Sequence, residues 1–350
     1  MITSETYKIE LSILTPVVIN NGDSYGLFEL YPYSDGVSGG GTGWVLKIPK
    51  ILENMPIRKV DELNRLACRA TSNHDDESRN KAFEILQKEV VGKVVKEYGR
   101  RPCMFLPTAL KKVRANPLLD VNQHMTKPLT GKPYIPGSSL KGALRTAILE
   151  SLRKQSNKKP LGKAKEFEAQ LMTGADRFKV QEDPFKFLKI SDFEIRGNSK
   201  SVIGCINAGG KVPVYSAMTD AGCLHDFNPL VVADGSISID SRAPKYLRMP
   251  EIKQAVKDFY AQNLRWKFAH CDDFHDQEKE KLLQVMGTLE KDNQFFVRLG
   301  HYSGIENMTL NVDNPKFYWK PEINREGTNH FVLIENGYPA GFCMMKEQKV

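Results

Sequence analysis

Tyr134-Ile135-Pro136-Gly137-Ser138-Ser139-Leu140-Lys141-Gly142-Ala143-Leu144-Arg145-Thr146 opens as a turn and continues as a helix. Pro136-Gly137 reverses the chain, and Ser138 is a good N-cap, so the spacing predicts a helix to about Leu152. Leu140, Leu144, Ala147 and Ile148 fall on one face, which suits burial against a core. Ser138, Lys141 and Arg145 stand at i, i+3 and i+7 and share another face. A helix N-terminus offers unpaired N–H groups and positive dipole, so a phosphate would be well met beside these two cations. Gly142 costs about 1 kcal/mol against Ala inside a helix, which suggests a close approach to the backbone there. The same residues also read as a capped amphipathic helix with a solvated basic face and a glycine packed on a sheet. Local physics leaves both readings open.

Outward from this segment, Tyr7 to Leu14 alternates apolar and polar residues as a half-buried strand does, and Thr15-Pro16 interrupts it. A glycine-dense hairpin at 38–43 precedes a second strand at Trp44–Ile48. Residues 50–98 read as helical with a polar break at Thr71–Arg79, and Arg153–Lys165 as an exposed lysine-rich loop or disordered insertion. Leu188–Ile195 is a strand. Polar, glycine-containing sequence at Gly197–Gly210 suits a domain junction. Strands follow near 212–217 and 229–240, then a helix over roughly 250–290, and strands at Gln294–Leu299 and His330–Glu335. The order lacks the βα rhythm of a parallel sheet, so an α+β fold with antiparallel sheets is expected. Two domains are expected, 1–196 with a helical insertion around 50–100, and 197–350 with a glycine-rich loop.

The 350 residues carry 50 Lys and Arg against 42 Asp and Glu, a net charge of +8. Phosphate-bearing partners are favoured over acidic ones, because each cation placed on a phosphate releases a condensed counterion. No apolar run reaches the roughly 20 residues that span a bilayer, and the N-terminus lacks a secretory pattern, so a cytoplasmic protein without membrane contact is expected. Six scattered cysteines without CxxC pairs read as reduced thiols.

Two further segments bear on function. In Phe296-Val297-Arg298-Leu299-Gly300-His301-Tyr302-Ser303-Gly304-Ile305 a strand ends in a loop with two glycines. Such a loop can wrap a sugar–phosphate backbone between Arg298 and His301 while Tyr302 stacks on a base; it also reads as an ordinary glycine turn. In Asp183–Phe193, Lys186 and Lys189 point either to solvent or to RNA.

Pro136–Arg145 resembles the hallmark helix start of the RAMP superfamily, the repeat-associated RNA-binding subunits of CRISPR effectors. Thr15-Pro16, Lys189-Ile190-Ser191-Asp192 and the Arg298–Gly304 loop recur in the expected order. The chain looks most like the subunit that caps the crRNA 3′ region in type III-A (Csm) complexes. Two places depart from the pattern: Val18-Ile19-Asn20-Asn21-Gly22 replaces a His-Ile-Gly-like turn, and His301-Tyr302 stands in the distal loop. The resemblance implies two ferredoxin-like (RRM-like) folds and backbone-directed binding of crRNA. Neighbouring Csm-complex RAMP subunits are implied partners, with target RNA and a recruited host nuclease as further candidates. It implies a non-catalytic role in crRNA maturation and antiviral defence. Ser138, Ser139, Lys141, Arg145, Gly300, Ser303 and Gly304 match its motifs as RNA contacts, and Arg298 and His301 join them from the loop reading.

His270-Cys271-Asp272-Asp273-Phe274-His275-Asp276 invites a metal, but no further ligands stand at a recognisable spacing. Gly39–Gly43 lacks the Gly-Lys-Ser/Thr of a phosphate loop and precedes a strand. No cofactor or metal is expected. The competing function is a RAMP endoribonuclease that cuts repeat RNA, with His301 and Tyr302 as proton-transfer groups.

Overall fold

The computed structural model describes residues 3–26, 28–35, 40–73, 75–90, 97–116, 119–156, 158, 164–197, 201–208, 213–219, 231–270, 280, 283–284, 294–302, 331–333 and 340–349. They form a mixed α+β fold built on two sheets.

The first sheet starts from β1 (Ser4–Ile13), where Tyr7, Ile9, Leu11 and Ile13 turn inward and Lys8 and Glu10 outward. That alternation places one face of the strand in the core and one in water. The sheet draws further on β7 (Tyr134–Ile135), β8 (Leu188–Ile190), β9 (Phe193–Ile195), β12 (Val232–Asp240), β13 (Phe295–Arg298) and β15 (Phe342–Lys349). Its order is β13-β15-β1-β12-β9-β7, with β8 also on β12, and every pair is antiparallel. Helices α5 (Gly137–Ser156) and α7 (Met249–His270) cover its inner face, and α6 (Ala164–Met172) packs on α5. Leu140, Leu144 and Ile148 of α5 and Ile252, Val256 and Phe259 of α7 share one core with Ile9, Leu11, Ile237 and Ile239.

The second sheet runs β2 (Asn20–Ser24), β6 (Val121–His124), β11 (Val214–Thr219), β10 (Ser201–Ala208), β5 (Gly99–Phe105), β4 (Gly41–Leu46), β3 (Leu30–Asp35), with β14 (Phe331–Leu333) also on β10. Two pairs, β5–β10 and β6–β11, are parallel, so this sheet is mixed where an antiparallel one was expected. Helix α4 (Pro107–Ala115) sets Ala109, Leu110 and Val113 into its core. The expected helical insertion is present as α1 (Ile48–Glu53), α2 (Ile57–Ser72) and α3 (Asp76–Val90). It closes a core of its own around Phe28, Leu63, Leu86 and Tyr98.

The expected division at residue 197 separates neither sheet. Strands of both come from either side of it, and Ser4–Ile13 and Phe342–Lys349 pair with each other in the first sheet. The supposed junction at 197–210 contains β10, whose residues 201–206 are buried. Gly204 in that strand sits beneath Met218 and Leu106, so its missing side chain serves close packing and not a linker.

Candidate nucleic-acid interface

Residues 14–19 connect β1 of the first sheet to β2 of the second and are bonded to both. Leu14 and Thr15 donate their N–H groups to Phe342 O at 2.9 and 3.1 Å, and the Thr15 hydroxyl accepts from Phe342 N–H at 2.8 Å. On the other side, Val17 N–H donates to Thr219 Oγ1 at 2.9 Å and Ile19 N–H to His124 Nδ1 at 3.0 Å. The Thr15-Pro16 break in the strand pattern is thus the point where the chain leaves one sheet for the other. Burial, with the Arg101 charge adding to it, pulls the His124 imidazole down to about 3, so it stays neutral and able to accept.

The glycine loop after β13 rests on this connector. His301 N–H donates to Val18 O at 2.8 Å. Gly300 has φ +97°, and a Cβ there would collide with the Val18 carbonyl, so only glycine lets the loop lie this close.

The start of α5 is fixed by the turn between β8 and β9. Asp192 Oδ1 accepts from Gly137 N–H at 3.0 Å, and a Cβ on Gly137 would run into the carbonyls of Ile190 and Ser191. The cap therefore comes from Asp192 across space, where Ser138 was expected. Ser138 lies instead in the first turn, exposed.

These pieces enclose a cleft of about 390 Å³ lined by Asn20, Ser138, Ser139, Gly142, Gly300 and His301. Its walls are the two motifs that stand some 160 residues apart in the sequence. Apart from its chain neighbours and its own helix backbone, no atom of the described residues lies within 4 Å of where a Gly142 Cβ would stand. The alternative in which this glycine packs on a sheet is overturned: it opens the helix surface to the cleft.

The expected cations are placed differently. Lys141 Nζ donates to Leu188 O at 2.8 Å, and burial holds its pKa below the ordinary lysine value, with Arg145 lowering it further and Asp183 opposing. Arg145 is bonded to Glu168 Oε2 at 2.7 Å and Asp183 Oδ2 at 2.8 Å, with the Phe185 ring 4.7 Å from its guanidinium carbon. Arg298 is 2% exposed, and its guanidinium donates to Ala340 O at 2.9 Å and Tyr302 O at 3.2 Å. All three bond within the fold, which corrects the picture of Lys141 and Arg145 as a free basic face and of Arg298 as an open flank. Tyr302 is buried too, its hydroxyl accepting from Asn122 Nδ2 at 3.3 Å, so it is no platform for a base. His301 is exposed. Ser303 and Gly304 lie outside the described residues, as do residues 271–276 of the His270–Asp276 segment. Lys186 and Lys189 are exposed, and Lys186 bonds to Gln181 O. His124 carries no signal in the sequence, and the quoted segments that contain Asp192 and Asn20 give no sign of their partners, which stand more than 50 residues away.

The family model that describes the RAMP superfamily matches residues 10–320. The chain belongs to the RAMP superfamily. Among relatives of this RAMP protein, Csm5 of Methanocaldococcus jannaschii is 30% identical over 200 residues, covering 53% of this chain and 42% of the relative. Csm5 of Streptococcus thermophilus is 24% identical over 206 residues, covering 57% of this chain and 54% of the relative. The matched stretches thus span about half the length of these two relatives. In fold, the RAMP protein is similar to a chain of a type III-A Csm–crRNA–target RNA ternary complex, with a TM-score of 0.70 and 16% identity over 98% of this chain and 100% of that one. It is also similar to T. onnurineus Csm5, with a TM-score of 0.63 and 16% identity over 95% and 99% of the two chains. No helix among the described residues is long and apolar enough to cross a membrane.

Proposed function

We propose that this RAMP protein is a non-catalytic crRNA-binding subunit of a cytoplasmic type III-A Csm complex, capping the 3′ region of the guide. One observation carries the proposal: the start of α5 and the glycine loop, matched separately to the superfamily, form the two walls of one cleft with the bare Gly142 surface between them. Glycines at such walls let a sugar–phosphate chain approach the backbone closely. The Csm5 relatives and the Csm complex chain of like fold support the choice of complex. Neighbouring Csm subunits, and target RNA paired to the guide, are the partners that go with it.

The endoribonuclease alternative loses its proton-transfer pair. Burial raises the Tyr302 phenol above its ordinary pKa, and its hydroxyl is held by Asn122, which leaves His301 without the expected partner in the cleft.

Purification of the tagged protein from its host tests the proposal. The expected result is a set of other Csm subunits together with RNA of repeat–spacer sequence. Recovery of the protein without CRISPR RNA would overturn it.

A further inference from the structure

A second pocket, of about 320 Å³, lies where the N-terminal end of α7 meets β1, β13 and β15. Tyr7 lines it, and Ile13, where β1 ends beside the cleft, stands roughly 20 Å further along the strand. The two sites are therefore separate. Gln294 and Glu347, which also line this pocket, each carry a buried side-chain oxygen, Oε1 and Oε2 respectively, that accepts no hydrogen bond among the described residues. Two neighbouring donors are already spent. The Lys253 ammonium donates to the other Glu347 oxygen, Oε1, at 2.8 Å, and the single proton of the Tyr7 hydroxyl goes to Glu5 Oε2 at 2.7 Å. A buried acceptor left without a donor is costly, so two of them on one pocket point to a ligand that supplies the hydrogens.

The lining decides the class of that ligand. Of its charged side chains, Lys253 and Lys257 are positive and Glu347 is negative. Another ammonium or guanidinium would meet like charge there, whereas a neutral N–H donor would not. Met249 and Phe295 supply apolar walls. A neutral amine on a ring with apolar faces is the group that adenine, cytosine and guanine carry and uracil lacks. The volume lies at the lower end of small-molecule sites and suits one nucleotide, and lysines beside it suit a phosphate. We infer that this pocket binds a single amino-bearing nucleotide, its exocyclic amine donating to the Gln294 and Glu347 oxygens. The inference stands independently of the proposed function, because it concerns the other end of the sheet.

The test titrates the purified full chain with mononucleotides and reads binding from the NMR signals of the nucleotide protons. AMP and purine riboside 5′-monophosphate differ by the exocyclic amine alone. AMP should bind at least about tenfold more tightly, the effect of leaving buried acceptors without their donor. Gln294→Met, which keeps the length of the side chain and removes its oxygen, should lower AMP affinity about fivefold and leave the amine-free nucleotide unchanged. Failure of AMP to bind, or equal affinities for the two nucleotides, would overturn the inference. So would an AMP affinity untouched by Gln294→Met in a variant that keeps the wild-type melting temperature. The same pair of bases placed at the 3′ end of an oligouridylate separates two sources of the ligand. An amine effect at the strand end identifies an RNA terminus, and an effect confined to the mononucleotides identifies a free nucleotide. The wild-type comparison needs no variant and so holds whatever the substitution does to folding.

Discussion

The open face of the first sheet and the cleft at its end both present polar groups to solvent, yet they are built for different things. On the sheet face Lys8, Glu10, Arg196, Asp234 and Lys346 stand in a shallow depression, and Arg196 bridges Asp234 at 2.6 Å and Glu10 at 2.8 Å. Its charges are largely cancelled within the surface, and the lining includes no aromatic ring. An RRM stacks bases on aromatic side chains of this same face, and this depression offers no ring for that among the described residues. At the cleft the nearby cations are also cancelled, but the Ser138 and Ser139 hydroxyls make no hydrogen bond among the described residues and no side chain covers Gly142. The ferredoxin-like architecture thus does not by itself say where RNA goes. The proposed function puts RNA instead where the connector, the start of α5 and the glycine loop converge.

That comparison breaks if Arg145 proves to be a phosphate ligand. With the guanidinium half-buried between two carboxylates, Arg145→Ala should cost about 2 kcal/mol of stability, because it leaves Glu168 and Asp183 close together without their cation. The salt slope of RNA binding should stay as in the wild type. A slope reduced by about one, with stability intact, would return Arg145 to the RNA.

Acid sharpens the comparison, since His124 holds the connector that floors the cleft and is the one buried histidine among the described residues. Its imidazole titrates near 3 in the fold and near 6.5 when unfolded, so between those values the unfolded chain binds the extra proton. Stability is therefore fully present above about 6.5 and falls as the pH drops toward 3, by at most about 1.4 kcal/mol per pH unit. Urea unfolding from pH 7 to pH 4 should show this slope in the wild type and a shallower one in His124→Asn. An unchanged slope would mean that other groups carry the acid sensitivity.

Much of the architecture was legible because it follows short periods. The alternation around Ile9 and Leu11, the four-residue spacing from Leu140 to Ile148 and the helical insertion all appear where their patterns place them. Glycine and polar composition in 197–210 suits a linker, yet Gly204 is a packing contact inside a central strand, a role that composition does not reveal. The site was half legible. Its glycines announced close approaches, but the fate of its cations depended on Glu168 and Asp183, which lie 23 and 38 residues from Arg145. Spacing along the chain carries no record of such pairings.

Photocrosslinking of a thiouridine-substituted guide to the protein in its assembled complex, with the attached peptides identified by mass spectrometry, addresses the location of RNA most directly. Crosslinks should fall within residues 138–146 and at 299–301, and the strands carrying Lys8, Asp234 and Lys346 should remain unlabelled. Labelling of those strands with none at the cleft would contradict the account.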